Sequence, residues 1–160
     1  LTTPGMDKEA ATTLTSYLMQ IYSSWPYDEA IIDNAEPTAS EGILAGMAIK
    51  KDSTTGKLVL ADGTVGEVSF FALKDQDDTD VVFSKFLPYI VKNATVYTDQ
   101  YVADTYSIND PICVSTGIGH AEDGLYRKYV DGVDTAPVVG YYDGSRTFDS
   151  VVFIKIRFKD

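Results

Sequence analysis

Val152-Phe153-Ile154-Lys155-Ile156-Arg157-Phe158-Lys159, close to the end of the chain, decides the fold class. Val152, Ile154, Ile156 and Phe158 alternate with Phe153, Lys155, Arg157 and Lys159, the period-two pattern of a strand with one face on the core. Working back from it, Leu58 and Leu60 alternate with Lys57 and Val59, and Val68, Phe70 and Ala72 alternate with Glu67, Ser69 and Phe71. Further strands are expected over 43–50, 89–97, 106–114, 125–130 and 137–142. Turn chemistry separates these runs: Asp52-Ser53-Thr54-Thr55-Gly56, Asp62-Gly63, Glu122-Asp123-Gly124, Asp131-Gly132 and Asp143-Gly144 each join a turn-tolerant acid or hydroxyl to a residue that accepts positive φ. Short strands at this spacing, with no long helical pattern between them, predict an all-β domain, a small antiparallel β-barrel or sandwich, over a parallel βαβ sheet.

Ahead of Gly42 the pattern changes. Residues 1–41 hold seven acidic side chains against Lys8 alone and one glycine, Gly5, whereas the other eleven glycines follow. This predicts two parts, an acidic N-terminal arm over 1–41 and a β-domain over 42–160. Within the arm, Ala10, Leu14, Tyr17, Leu18, Ile21, Tyr22 and Trp25 recur at helical spacing and form one apolar stripe. Asp7 is placed to cap such a helix and Pro26 to end it, while Thr12, Thr13, Thr15 and Ser16 weaken it. An isolated helix of this length is marginal in water, so the extended or helical arm must lay its stripe on another surface. Its own domain and a neighbouring subunit both remain open as that surface.

The 160 residues suit one compact domain with an arm. Thirteen Lys and Arg against 24 Asp and Glu leave a net charge of −11, which gives phosphate backbones and anionic membranes no electrostatic footprint. Neither nucleic acid nor membrane is expected as a partner. The opening Leu1-Thr2-Thr3-Pro4-Gly5 has neither the basic nor the apolar region of a secretion signal, and the chain reads as soluble.

Residue chemistry offers little for catalysis. His120, in Thr116-Gly117-Ile118-Gly119-His120, is the only histidine, with no nucleophile elbow beside it. It also leaves zinc without a ligand cluster, and Cys113, the only cysteine, sits in an apolar strand context as a small core residue. The loop Asp75-Gln76-Asp77-Asp78-Thr79-Asp80 gathers carboxylates but lacks the glycine and glutamate of a calcium-binding EF-hand, so a solvated loop is expected. Asn93-Ala94-Thr95 matches a glycan acceptor pattern only by chance within a strand, and no phosphate-binding glycine loop is present. No catalytic residue, cofactor or metal is therefore expected. Aromatic content stands out instead: Tyr97, Tyr101, Tyr106, Tyr126, Tyr129, Tyr141 and Tyr142 fall near strand ends or turns, where they suit a protein or sugar interface.

The order of segments over 42–160 resembles the cement, or head-decoration, proteins of tailed-bacteriophage capsids. The stretches that carry the likeness are Gly42-Ile43-Leu44-Ala45-Gly46-Met47-Ala48-Ile49-Lys50, Gly56-Lys57-Leu58-Val59-Leu60-Ala61-Asp62-Gly63 and Val96-Tyr97-Thr98-Asp99-Gln100-Tyr101. They continue with Tyr106-Ser107-Ile108-Asn109-Asp110-Pro111-Ile112-Cys113-Val114, Asp123-Gly124-Leu125 and Val138-Val139-Gly140-Tyr141. At Asn109-Asp110 the sequence departs from the Gly-Asp of the family pattern, and Asn tolerates the left-handed conformation a turn there can take. The resemblance implies a non-enzymatic protein on the outer surface of the virion capsid, whose partners are the major capsid protein and copies of itself. Leu14, Tyr17, Leu18, Ile21, Tyr22 and Trp25 of the arm would bind the neighbouring subunit. The alternative is a sugar- or receptor-binding adhesin module that stacks Tyr141 and Tyr142 on its ligand; a hydrolase using carboxylates or His120 is the third reading.

Overall fold

The computed structural model describes residues 27–31, 42–75, 86–91, 93–117 and 121–159. The apolar stripe of the arm, His120 and most of the 75–80 loop lie outside the described residues. Among those described there is no helix, and hence none long and apolar enough to cross a membrane.

Among the described residues ten strands form two antiparallel five-stranded sheets, so the all-β expectation resolves into a sandwich whose sheets stay separate rather than a closed barrel. The first half of the chain supplies β1 (Tyr27–Ile31), β2 (Ala48–Lys51), β3 (Leu58–Leu60), β4 (Ser69–Ala72) and β5 (Phe86–Ile90), in the order β1-β5-β4-β2-β3. The second half supplies β6 (Thr95–Thr98), β7 (Pro111–Val114), β8 (Tyr126–Lys128), β9 (Val138–Phe148) and β10 (Val151–Phe158), in the order β6-β10-β9-β7-β8. The change of composition at Gly42 does not coincide with the edge of the first sheet: β1, inside the arm, pairs with β5 from Tyr27 opposite Ile90 to Ile31 opposite Phe86.

A single run over 89–97 was the expectation, but the chain changes sheets there. Asn93 takes φ 58, which bends the chain between β5 and β6 and leaves Asn93 and Ala94 in a crossover, with Thr95 opening β6. The run expected over 106–114 begins with a turn instead: Asp110 N–H donates to Ser107 O, and Asn109 takes φ 71, a left-handed conformation that Asn tolerates.

Asp143-Gly144 is a bulge and not a hairpin turn. Ile154 lies opposite Ser145 but Ile156 opposite Tyr142, so β9 carries one residue more than β10 between those pairs, and Gly144 absorbs the distortion at φ 117. The hairpin closes five residues later at Asp149-Ser150, both with positive φ as a type I′ turn requires. Gly140 is needed for another reason: a Cβ there would stand 2.5 Å from the Arg157 carbonyl oxygen across the ladder.

The shared core lies between the sheets. Ala48, Phe71 and Ile90 from the first meet Val96, Ile112, Val114, Tyr126, Ile154 and Ile156 from the second. Phe71, Tyr126 and Phe158 hold one another at centroid distances of 5.6–6.0 Å. Polar ties cross the same gap. The Thr98 hydroxyl, fully buried, donates to Gly46 O at 2.8 Å, and Ala48 N–H donates to Gly124 O at 2.8 Å. Two smaller apolar groups sit on the faces turned away from this core: Ile43, Ile49, Leu58, Ala72, Leu87 and Tyr89 on the first sheet, Tyr97 and Phe153 on the second.

Candidate interaction surface

At one end of the sandwich the sheets part and leave a cleft of about 300 Å³. The β4 strand with the residue before it contributes Val68, Phe70 and Phe71; Ile90 and Val91 come from the end of β5; Pro137, Val138 and Val139 open β9; Phe158 closes β10. Strand ends converge here because β4 and β9 both begin at this end and β5 and β10 both finish there. Val68 is 71% exposed at the mouth and Val65, in the loop before it, is 72% exposed. Tyr126 lines the cleft from within the core, and its side chain is essentially inaccessible to solvent.

Glu67 lines the cleft and belongs to a charged cluster beside it. Lys50 on β2 sets its ammonium 2.6 Å from the Asp62 carboxylate and 3.2 Å from that of Glu67, in the loop between β3 and β4. Glu67, almost wholly buried, also accepts the backbone N–H groups of Asp62 and Gly63, each at 3.2 Å, and Asp62 accepts the Thr64 hydroxyl. Burial and a hydrogen bond shared with Asp62 raise the Glu67 carboxyl above its ordinary value, against the pull of Lys50 and the Asp62 N–H. Burial acts the same way on Asp62, but there the bonds to Glu67, Lys50 and Thr64 win and hold it far below the carboxylate range. The two acids thus behave as a pair: the outer one, Asp62, stays ionised and the inner one is the first to take a proton. Burial alone would lower the Lys50 ammonium, yet its two carboxylate partners raise it.

The tyrosines singled out by sequence separate into different environments. Tyr126 is core, and Tyr97 is buried on the outer face of the second sheet beside Phe153. Tyr101, Tyr106 and Tyr142 pack edge-on and face-on at 5.9 and 5.4 Å against the shared core, with the Tyr106 hydroxyl donating to Val102 O at 2.6 Å. Tyr141, the next residue along β9, falls on the opposite face, where the Arg157 guanidinium lies 5.7 Å from its ring centroid. Tyr141 and Tyr142, neighbours on β9, therefore lie on different faces of the second sheet. All three arginines of the chain stand on that outer face, Arg146 over Tyr97 and Phe148, Arg127 3.5 Å from the buried Asp134.

Leu14, Tyr17, Leu18, Ile21, Tyr22 and Trp25 lie outside the described residues, as does His120. Cys113 is a buried thiol whose pKa burial, then the Asp134 carboxylate, push up to about 12, which suits a core residue and not a nucleophile. Asp75 accepts the Ala45 N–H at 2.8 Å, a structural tie. Among the described residues no three His, Cys, Asp or Glu side chains gather as a metal site would require. The cleft was invisible to sequence reasoning because its lining comes from four separate strand ends; the one available signal was exposed-pattern valine beside Glu67 in the Thr64–Val68 loop. No protein-family model matches the sequence, and no curated protein matches it.

Proposed function

We propose that the protein is a capsid cement, or decoration, protein: a β-sandwich that binds the outer surface of an icosahedral phage head and stabilises contacts between major capsid subunits, with no cofactor and no bond making or breaking. The observation that carries the reading is the cleft between strand ends of the two sheets, lined mostly by apolar side chains, with Val68 71% exposed at its mouth. The resemblance in segment order over 42–160 supplies the class of partner.

The physics is mass action. A protein that binds the assembled lattice and not its free subunits stabilises the lattice in proportion to occupancy, and many weak copies sum to a large effect against internal pressure. The arm adds reach. Burying Leu14, Tyr17, Leu18, Ile21, Tyr22 and Trp25 against a neighbour is worth roughly 9–18 kcal/mol before ordering costs, enough to decide whether the arm docks.

Deleting residues 1–26 removes the stripe and keeps β1. The shortened protein is expected to retain its β-sheet circular dichroism and cooperative unfolding while losing the ability to protect capsids against heat or low ionic strength. Full protection by the shortened protein would remove the arm from the mechanism, and absence of the intact protein from purified virions would remove the reading altogether.

A further inference from the structure

Tyr126 stands apart from the other residues that line the cleft. It is 1% exposed, and among the described residues nothing hydrogen-bonds its hydroxyl. Its ring packs 6.0 Å from those of Phe71 and Phe158, and its hydroxyl lies within electrostatic reach of the Glu67 carboxylate, which lines the same cleft. Burial, reinforced by that negative charge, keeps the hydroxyl protonated, so it is a donor without an acceptor. A buried donor left unpaired is costly, and a group that reaches it with an acceptor recovers the loss.

The shape of that group follows from the rest of the lining. Ile90, Val91 and Val139 are aliphatic, while Phe71 and Phe158 offer rings on which another ring packs edge to face at little entropic cost. A cavity of about 150 Å³ holds benzene. A cleft of about 300 Å³ therefore takes one substituted ring and the carbon that carries it, and not a length of peptide. A phenol hydroxyl accepts one hydrogen bond and donates another, which matches a buried donor beside a carboxylate. A bare phenyl ring would satisfy the walls and leave Tyr126 unpaired, and a charged group would be desolvated by the walls without an opposite charge to meet it.

We propose that the capsid subunit fills this cleft with a single tyrosine-type side chain, whose phenolic oxygen accepts the Tyr126 O–H. The identity of the partner rests on the cement reading, and the proposal adds the group that the partner must present. Val68, exposed at the mouth, is then covered by the backbone that carries the ring. Tyr126 gains its hydrogen bond only when the two proteins meet, so the bond favours the complex over the free protein and selects a phenol over a plain ring.

p-Cresol, the tyrosine side chain cut at Cβ, and toluene, the same molecule without the hydroxyl, test the site on the full chain. In methyl-resolved NMR, p-cresol is expected to shift the resonances of Val68, Val91 and Val139 and to bind about fivefold more tightly than toluene, the worth of one hydrogen bond. Tyr126→Phe is expected to bind the two equally and to unfold at no lower temperature than the wild type, because the free protein loses no bond. The same variant is expected to rebind stripped capsids severalfold more weakly. No binding of p-cresol, or no preference over toluene, overturns the proposal and leaves the cement reading standing. A lower unfolding temperature in Tyr126→Phe also overturns it, since the hydroxyl would then be bonded already in the free protein. So does unchanged capsid binding by Tyr126→Phe, which would mean that the subunit places no such side chain there. Absence of the wild-type protein from virions, with p-cresol still bound, overturns the cement reading and with it the partner named here.

Discussion

The two sheets bury different numbers of faces. In the first, Phe71 and Ile90 point into the shared core while Ile49, Leu58, Ala72 and Leu87, on the opposite face, are equally inaccessible. In the second, Ile154 and Ile156 point inward, and the outer face carries Lys155, Arg157 and Arg146 laid against Tyr97, Tyr141 and Phe148. The second sheet also holds the two longest of the described strands: β9 and β10 run eleven and eight residues as one hairpin, whereas β6, β7 and β8 run three or four, close to the three to five of the first sheet. A sheet apolar on both sides is an inner layer, and one with a charged, aromatic outer face is a boundary with water or a partner.

The sharpest way to break this contrast is to truncate one residue on each face. Leu87→Ala on the outer side of the first sheet and Ile156→Ala in the shared core are each expected to cost about 3 kcal/mol in denaturant unfolding, because both side chains are fully buried. Arg157→Ala, on the exposed face of the second sheet, is expected to cost no more than about 0.5 kcal/mol. If Leu87→Ala behaved like Arg157→Ala, the first sheet would not be an inner layer.

The charged cluster of the first sheet gives a smaller effect. Lys50→Ala leaves the buried Glu67 and its neighbour without their cation and is expected to cost about 2 kcal/mol at neutral pH, less than a fully buried pair because the Lys50 side chain is partly exposed. Its pH dependence has a definite sign. Glu67 binds its proton more tightly in the folded state, so its contribution is complete below an unfolded pKa of about 4.3 and is lost as pH rises through the raised folded value. Asp62 contributes in the opposite sense, above an unfolded value of about 3.9, and loses its contribution in acid. Glu67→Gln is therefore expected to gain relative to the wild type as pH climbs from about 4.3, read as a rising difference in denaturation midpoint; a constant difference would show that Glu67 does not titrate in this way.

A gain, not a loss, is expected at the hairpin of the second sheet. Asp149 and Ser150 both hold positive φ, at 46° and 66°, where Asn and Gly are at ease. The double change Asp149→Asn, Ser150→Gly is expected to stabilise by about 1 kcal/mol, and a loss instead would mean that the turn is not of the type I′ kind.

Much of this was legible in the residues. The alternation of β10, the turn chemistry at Asp52 to Gly56 and the left-handed Asn109 all reappear in the fold, since each depends on neighbours within a few positions. What period-two reading misjudged was the number of buried faces. Phe153, placed by alternation with the lysines and arginines, is fully buried between Tyr97 and Phe148, and Val152, assigned to the core, is 45% exposed beside the hairpin turn. Asp143-Gly144 carries the same residues as a turn and forms a bulge, because the β9–β10 ladder continues past it to Phe148. The candidate site fared worse than the fold: Tyr142 and Tyr141 could be named but not assigned to faces, and the cleft could not be foreseen.

By itself the chain determined that its second part would be antiparallel β with polar turns, because side-chain period, turn residues and charge are local properties of neighbouring positions. Only the tertiary structure decided that the halves become separate sheets, that β1 joins the first of them, and that Val68, Val91, Tyr126 and Val139 share one cleft. Those outcomes depend on which strand ends meet, and residues some seventy positions apart meet only when two apolar faces close on each other and exclude water.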